Sequence, residues 1–122
     1  MSTSKHTLVL GASLNPDRAS WKAVQLLRAK NYTVTAFGLK AGRIADVEIQ
    51  TALPEAAKLH TVTLYVNPAN QVAYYDYILQ LKPQRIIFNP GTENAELFQL
   101  AKDAGILPEY ACTLVLLTLN DY

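Results

Sequence analysis

Short apolar runs that end in turns and alternate with segments of helical period constrain this chain more than any other feature. Residues 6–12 (HTLVLGA) are almost continuously apolar, the pattern of a central parallel strand covered on both faces. Over residues 17–30, Trp21, Val24 and Leu27 recur at helical spacing, while Lys22, Gln25 and Arg28 take the wet side. Residues 31–39 (NYTVTAFGL) are β-branched and aromatic, hence a second strand. The mixed stretch that follows predicts a loop, an extended piece at Val47–Gln50 and a helical turn begun by Pro54. Residues 61–66 (TVTLYV) read as a third main strand. Residues 68–81 have helical period through Val72, Tyr75, Ile78 and Leu79, and stop before Pro83. Residues 84–89 (QRIIFN) give a fourth strand, and 92–104 a helix with Gly105 as its C-terminal cap. A fifth short strand at 107–111 and a last short helix at 113–119 close the pattern.

Strands alternating with helices imply parallel pairing through right-handed crossovers. The expected fold is α/β: a single doubly wound domain, residues 1–122, with an open, mainly parallel sheet of about five strands and helices on both faces. No linker, internal repeat or low-complexity tract divides the chain. In such sheets ligands sit at the carboxyl ends of the strands, where the strand order reverses. That topology nominates the turns at 11–18, 38–43, 66–70 and 89–93.

Composition narrows the partners. Only 17% of residues are charged and the formal net charge is +1, so a broad basic footprint for nucleic acid is absent. The first residues are too few and too polar for a signal peptide, and no apolar run approaches the ~20 residues of a membrane span. The single cysteine, Cys112, excludes an internal disulfide framework and fits a reducing compartment, so the expected location is cytoplasmic. The apolar tail TLVLLTLNDY and the tyrosines Tyr74, Tyr75 and Tyr77 would suit self-association, for instance as a homodimer.

Each nominated turn carries usable chemistry. In the first, Gly11 permits a tight turn and a close ligand, Ala12 and Ser13 are small, and Ser13 adds a hydroxyl. Asn15, before Pro16, can start the turn or cap the helix. Free amides at a helix start form an anion site, to which Arg18 and Ser20 add a guanidinium fork and a second hydroxyl. The alternative is a tight connection only, with Ser13 or Ser20 as a helix cap.

In the second turn (FGLKAGR), Gly38 is followed by Lys40 and Arg43, with no carboxylate until Asp46. An NAD site usually has an acidic residue here for the ribose hydroxyls, so two cations favour a phosphorylated ribose, as in NADP or coenzyme A. Solvated loop charges are the plainer reading. The third and fourth turns place Asn67-Pro68 after Val66, and Asn89-Pro90 before Gly91. The two asparagines offer amides toward the crevice, while Gly91 and Thr92 would present backbone amides; ordinary helix-start chemistry explains them equally.

The catalytic inventory is thin. His6 and His60 fall near strand starts, at the edge opposite the nominated turns. No cluster has metal-ligand spacing. Glu93 and Glu96 supply helix first-turn charge, and Cys112 is the one nucleophile near the carboxyl edge, although a buried inert thiol is the simpler reading.

The opening LVLGASLNPDRAS resembles the CoA-binding domain family, the small Rossmann-like proteins related to the CoA-binding domain of succinyl-CoA synthetase α-subunits. Gly11, Ala12, Ser13, Pro16, Arg18 and Ser20 match the family's opening pattern in register, and similarity continues through GLKAG, LYVNPAN, NPGTENAELFQLAKDAGI and ACTLVLL. The resemblance implies that Gly11, Ala12, Ser13 and Arg18 cradle a pyrophosphate and that Lys40 faces the ribose phosphate or adenine end. It further implies that Val66, Asn67 and Pro68 flank the nucleotide and that Gly91 lines the pantetheine side. Two departures stand out: Gly38-Leu39-Lys40 replaces Asn-Pro-Lys, and Asn89-Pro90 stands where a glutamine often precedes the glycine. The chain carries no ATP-grasp segment and no phosphorylatable histidine loop, so the expected function is non-catalytic binding of coenzyme A or an acyl-CoA, as a sensor or carrier. An NADP-type oxidoreductase and a ligand-free interaction module are the alternatives.

Overall fold

In the computed structural model, which describes residues 5–56 and 58–122, the alternation becomes one seven-stranded sheet. Its strands are β1 (Thr7–Leu10), β2 (Val34–Phe37), β3 (Gly42–Ile44), β4 (Val47–Gln50), β5 (Thr61–Leu64), β6 (Arg85–Phe88) and β7 (Leu107–Tyr110). The helices are α1 (Ala19–Ala29), α2 (Pro68–Gln71), α3 (Tyr75–Leu81), α4 (Ala95–Asp103) and α5 (Thr113–Thr118). The sheet order is β3-β4-β2-β1-β5-β6-β7, and every neighbouring pair is parallel except β3 with β4. β2 lies on one side of β1 and β5 on the other, so the order reverses at the β1/β5 boundary.

The core follows from the two-residue period of the strands. Leu8, Leu10, Val62, Leu64, Ile86 and Phe88 face Ile78 of α3 and Leu97 and Ala101 of α4. Val9, Ala36, Ile49 and Ile87 face Val24 and Leu27 of α1 and Leu117 of α5. β1, β5 and β6 are buried along their whole length, as parallel strands with both faces covered must be. Each such aliphatic side chain contributes about 1.5–3 kcal/mol relative to exposure, which makes these central strands the rigid base for the turns they carry.

The sheet is larger than the expected five strands. Val47–Gln50 is β4, but its antiparallel partner β3 has no clear signature in the sequence. The connecting pair is Ala45-Asp46, with Ala45 at φ 55°, where a two-residue hairpin usually shows Asn-Gly or Asp-Gly. Residues 53–56 form no regular element in place of the turn expected at Pro54, and residue 57, like 1–4, lies outside the described residues. The helix expected over 68–81 is divided by a tighter 3₁₀ turn at Val72–Tyr74 and ends at Lys82, in the left-handed conformation before Pro83. Gly105, at φ 79°, follows α4 as expected.

Tyr122 closes the amino edge of the sheet. Its ring packs 4.5 Å from the Arg85 guanidinium and 5.0 Å from Tyr32, its hydroxyl bonds Thr7, and its main-chain oxygen accepts from Lys5 at 2.7 Å. His6 and His60 stand at this same edge, hydrogen-bonded to Thr35 and Thr61 (2.7 Å each). Burial lowers the pKa of both, and for His60 the charges of Arg85 and Lys5 lower it further. The unfolded chain therefore binds these protons more tightly than the folded one. Stability is complete above the unfolded histidine value of about 6.5 and declines as pH falls through the lower folded values. Urea midpoints should be level above neutrality and drop on mild acidification. The His6→Gln/His60→Gln double variant should flatten that drop; an unchanged slope would place its origin elsewhere.

Candidate functional site

The tips of β1 and β5 meet at Gly11. The residue sits at φ 103°, and a Cβ there would stand 2.9 Å from the Tyr65 carbonyl carbon and oxygen and 3.0 Å from the Val66 side chain. Only glycine satisfies both the turn and the approach. The Tyr65 amide donates to the Leu10 carbonyl at 2.8 Å, holding the third turn beside the first. The Tyr65 hydroxyl is buried, which pushes its pKa up to about 12 and keeps it protonated.

The first turn differs from expectation in which amides it leaves open. Gly11 and Ala12 both donate to the Phe37 carbonyl, at 2.9 and 2.8 Å, so neither amide is available to a phosphate. Among the described residues, the amides of Ser13 and Leu14 have no acceptor. Asn15 starts the turn rather than capping the helix: its carbonyl accepts from Arg18 at 3.0 Å and its side chain from Asp17 at 3.0 Å. The Ser13 hydroxyl accepts from the Asn15 amide at 3.1 Å, which leaves its own proton free to donate. Arg18 occupies the N-cap of α1 without a side-chain cap, and the first helical turn carries no acidic residue. The positive end of α1 thus has no acid within its first turn, the nearest in sequence being Asp17, directly before the N-cap. Ser20 is buried, only 4% exposed, in the first turn of α1.

Gly38 packs directly against the first turn. A Cβ there would run into the Ala12 carbonyl oxygen, so its absence lets the second turn abut the first. Lys40 and Arg18 are both exposed and, among the described residues, unpaired. Arg43 is not a second free cation. The antiparallel register sets it opposite Glu48, and the two form an ion pair at 2.6 Å. Arg28 binds both carboxylate oxygens of Asp46 at 2.8 Å, which holds that carboxyl below its ordinary pKa.

Asn67 caps α2, accepting from the Asn70 amide at 3.0 Å; Pro68 follows it at the first helical position, and the half-buried Val66 precedes it, two residues beyond β5. Asn89, expected to face the crevice, instead points inward and is 2% exposed. It donates to Thr63 Oγ1 at 2.6 Å and the Leu64 carbonyl at 2.8 Å, and accepts from the Thr113 amide at 2.9 Å. Both polar atoms of its side chain are engaged in joining β5, β6 and α5. Gly91, at φ 93°, has nothing within 4 Å of where a Cβ would lie, and its amide donates to Glu93 at 2.9 Å. Cys112 is half-buried at the N-cap position of α5.

The four turns therefore converge on one edge, while the histidines lie at the other. No group of three or more metal-ligating side chains occurs among the described residues, and no helix there is long and apolar enough to cross a membrane.

Residues 5–118 match the family described as CoA binding domain. A solved structure titled only as an uncharacterized protein is 42% identical, with a TM-score of 0.93 over 97% of this chain and 98% of its own. A Thermus thermophilus protein, cell-free ID.343, is 20% identical, with a TM-score of 0.84 over 97% of this chain and 90% of its own. The dinucleotide forming acetyl-coenzyme A synthetase 1 of Ca. Korarchaeum cryptofilum is 14% identical, with a TM-score of 0.69; the match spans 92% of this chain but 26% of that much longer one. The last two show a shared fold. No curated protein matches the chain significantly.

Proposed function

The chain belongs to the CoA binding domain family, and on that premise we propose that it binds coenzyme A or an acyl-CoA at the carboxyl edge of its sheet without transforming it. One observation carries the reading. The acceptor-free amides of Ser13 and Leu14, the uncapped start of α1 and the unpaired Arg18 and Lys40 all belong to the two turns that Gly38 brings into contact. A pyrophosphate placed over the first turn meets amides, a helix dipole and a guanidinium together. Lys40 then supplies charge for a ribose phosphate, and the carboxylates near the second turn, Asp46 and Glu48, are both held by arginines. That leaves no free acidic acceptor there for the ribose diol of plain NAD.

Thermal denaturation with coenzyme A, acetyl-CoA, NADP and NAD tests the proposal. A ligand at a hundred times its Kd stabilises the native state by about 2.7 kcal/mol, so coenzyme A should raise Tm by several degrees. The coenzyme should be recovered chemically intact after incubation. A response to NADP alone would move the chain to the oxidoreductase reading, and silence toward every nucleotide would favour an interaction module.

A further inference from the structure

One fully buried polar side chain joins the third and fourth turns without touching the crevice. Gln71, the last residue of α2, is 0% exposed. Its Nε2 donates to the Val66 carbonyl and to the Thr92 carbonyl, each at 2.8 Å. Its Oε1 accepts from Asn94 Nδ2 at 2.9 Å, which fixes which way the amide group faces. Asn94 is itself held: it caps α4 through the amides of Glu96 and Leu97, and its Nδ2 also donates to the Tyr75 hydroxyl at 2.8 Å. Both polar atoms of the Gln71 side chain are thus satisfied, Nε2 by two main-chain carbonyls and Oε1 by a side chain that is itself held.

The consequence follows from peptide geometry. In a trans peptide the carbonyl and the next residue's N–H point in opposite directions. Drawing the Val66 and Thr92 carbonyls inward onto Gln71 turns the amides of Asn67 and Glu93 outward, away from the core. Neither of these amides has an acceptor among the described residues. Asn67 lies on the turn that follows β5, the neighbour of β1 and its Gly11 turn, and Glu93 on the turn that follows β6, one strand further along the same edge.

We infer that Gln71 is a positioning residue for the proposed coenzyme site: its side-chain amide orients two peptide planes so that the Asn67 and Glu93 N–H groups present donors to the bound ligand. The inference rests on the coenzyme A reading.

The test uses the full chain with coenzyme A as probe, reading Kd by calorimetry and Tm by melting. Gln71→Leu should remain folded with a lowered Tm and bind coenzyme A about tenfold more weakly, the effect of two misoriented donors. Arg85→Met, at the opposite edge of the sheet, serves as a control that also lowers Tm; its affinity should stay at the wild-type value. Gln71→Glu separates orientation from mere packing. A buried carboxyl has a raised pKa, and only its protonated form can donate to a carbonyl. Relative to wild type at the same pH, this variant should lose less affinity in mild acid, where its one O–H still holds one of the two carbonyls, than at higher pH, where it holds neither. In the wild type, the Asn67 and Glu93 amide resonances should shift on adding coenzyme A.

Equal losses in Gln71→Leu and Arg85→Met, or a pH-independent deficit in Gln71→Glu, would overturn the positioning role while leaving the coenzyme reading intact. Wild-type protein that fails to bind coenzyme A would overturn both.

Discussion

Reversing the charge of Lys40 (Lys40→Glu) is expected to weaken coenzyme A binding by about thirtyfold at low salt and to weaken 3′-dephospho-coenzyme A far less. Two unit charges about 4 Å apart interact by ~1 kcal/mol in bulk water and more at a protein surface, and reversal replaces attraction by repulsion. Lys40 is exposed and held by no other group among the described residues, so its ammonium is free to follow the ligand. The difference should shrink as salt rises, because an exposed pair is screened over about 10 Å at 0.1 M. Arg18→Glu should behave differently. The pyrophosphate is common to both ligands, so they should lose affinity equally. Calorimetry with the two ligands and two variants distinguishes the roles, and equal losses for Lys40→Glu would remove that lysine from the ribose phosphate.

Replacing Asn89 by leucine should lower stability by about 3 kcal/mol and Tm by roughly 10 °C, since buried donors and acceptors lose their partners. The volume is nearly kept, so the loss is one of hydrogen bonding. The Thr113 amide, at the first position of α5, loses its acceptor in a buried setting, and the Leu64 carbonyl loses a donor. Thr63 keeps its bond to the Thr113 hydroxyl at 2.8 Å, which limits the damage. Urea denaturation and coenzyme A titration of the folded fraction discriminate the two possible roles. An asparagine that lined the pocket would reduce affinity and leave the urea midpoint unchanged; the inward strut predicts the reverse emphasis.

The alternation of elements was legible because each signal is local. Apolar runs such as Leu8–Leu10 announce a strand covered on both faces, and the spacing of Trp21, Val24 and Leu27 announces a helix with one buried side. Reversal of strand order then nominates the carboxyl edge for a site, and the turns do gather there, with His6 and His60 at the other end. The hairpin of β3 and β4 was half hidden. Its turn uses Ala45-Asp46, a pair that gives no hairpin signal, and it exists because β4 finds a parallel place beside β2.

What the sequence by itself determined was the class of fold, the edge on which the four turns gather and the residue types available there, since these depend on periodicity and turn chemistry within a few residues. Only the tertiary structure decided which groups are free. Phe37 takes the Gly11 and Ala12 amides, Glu48 takes Arg43, and β5 and α5 take Asn89, each across a separation of five residues or more. Gln71 gained its position in the same way, from the Val66 and Thr92 carbonyls, which lie on the turns that follow the paired strands β5 and β6. A polar group's availability is settled by its nearest competitor in space, and that competitor has no mark in the local sequence.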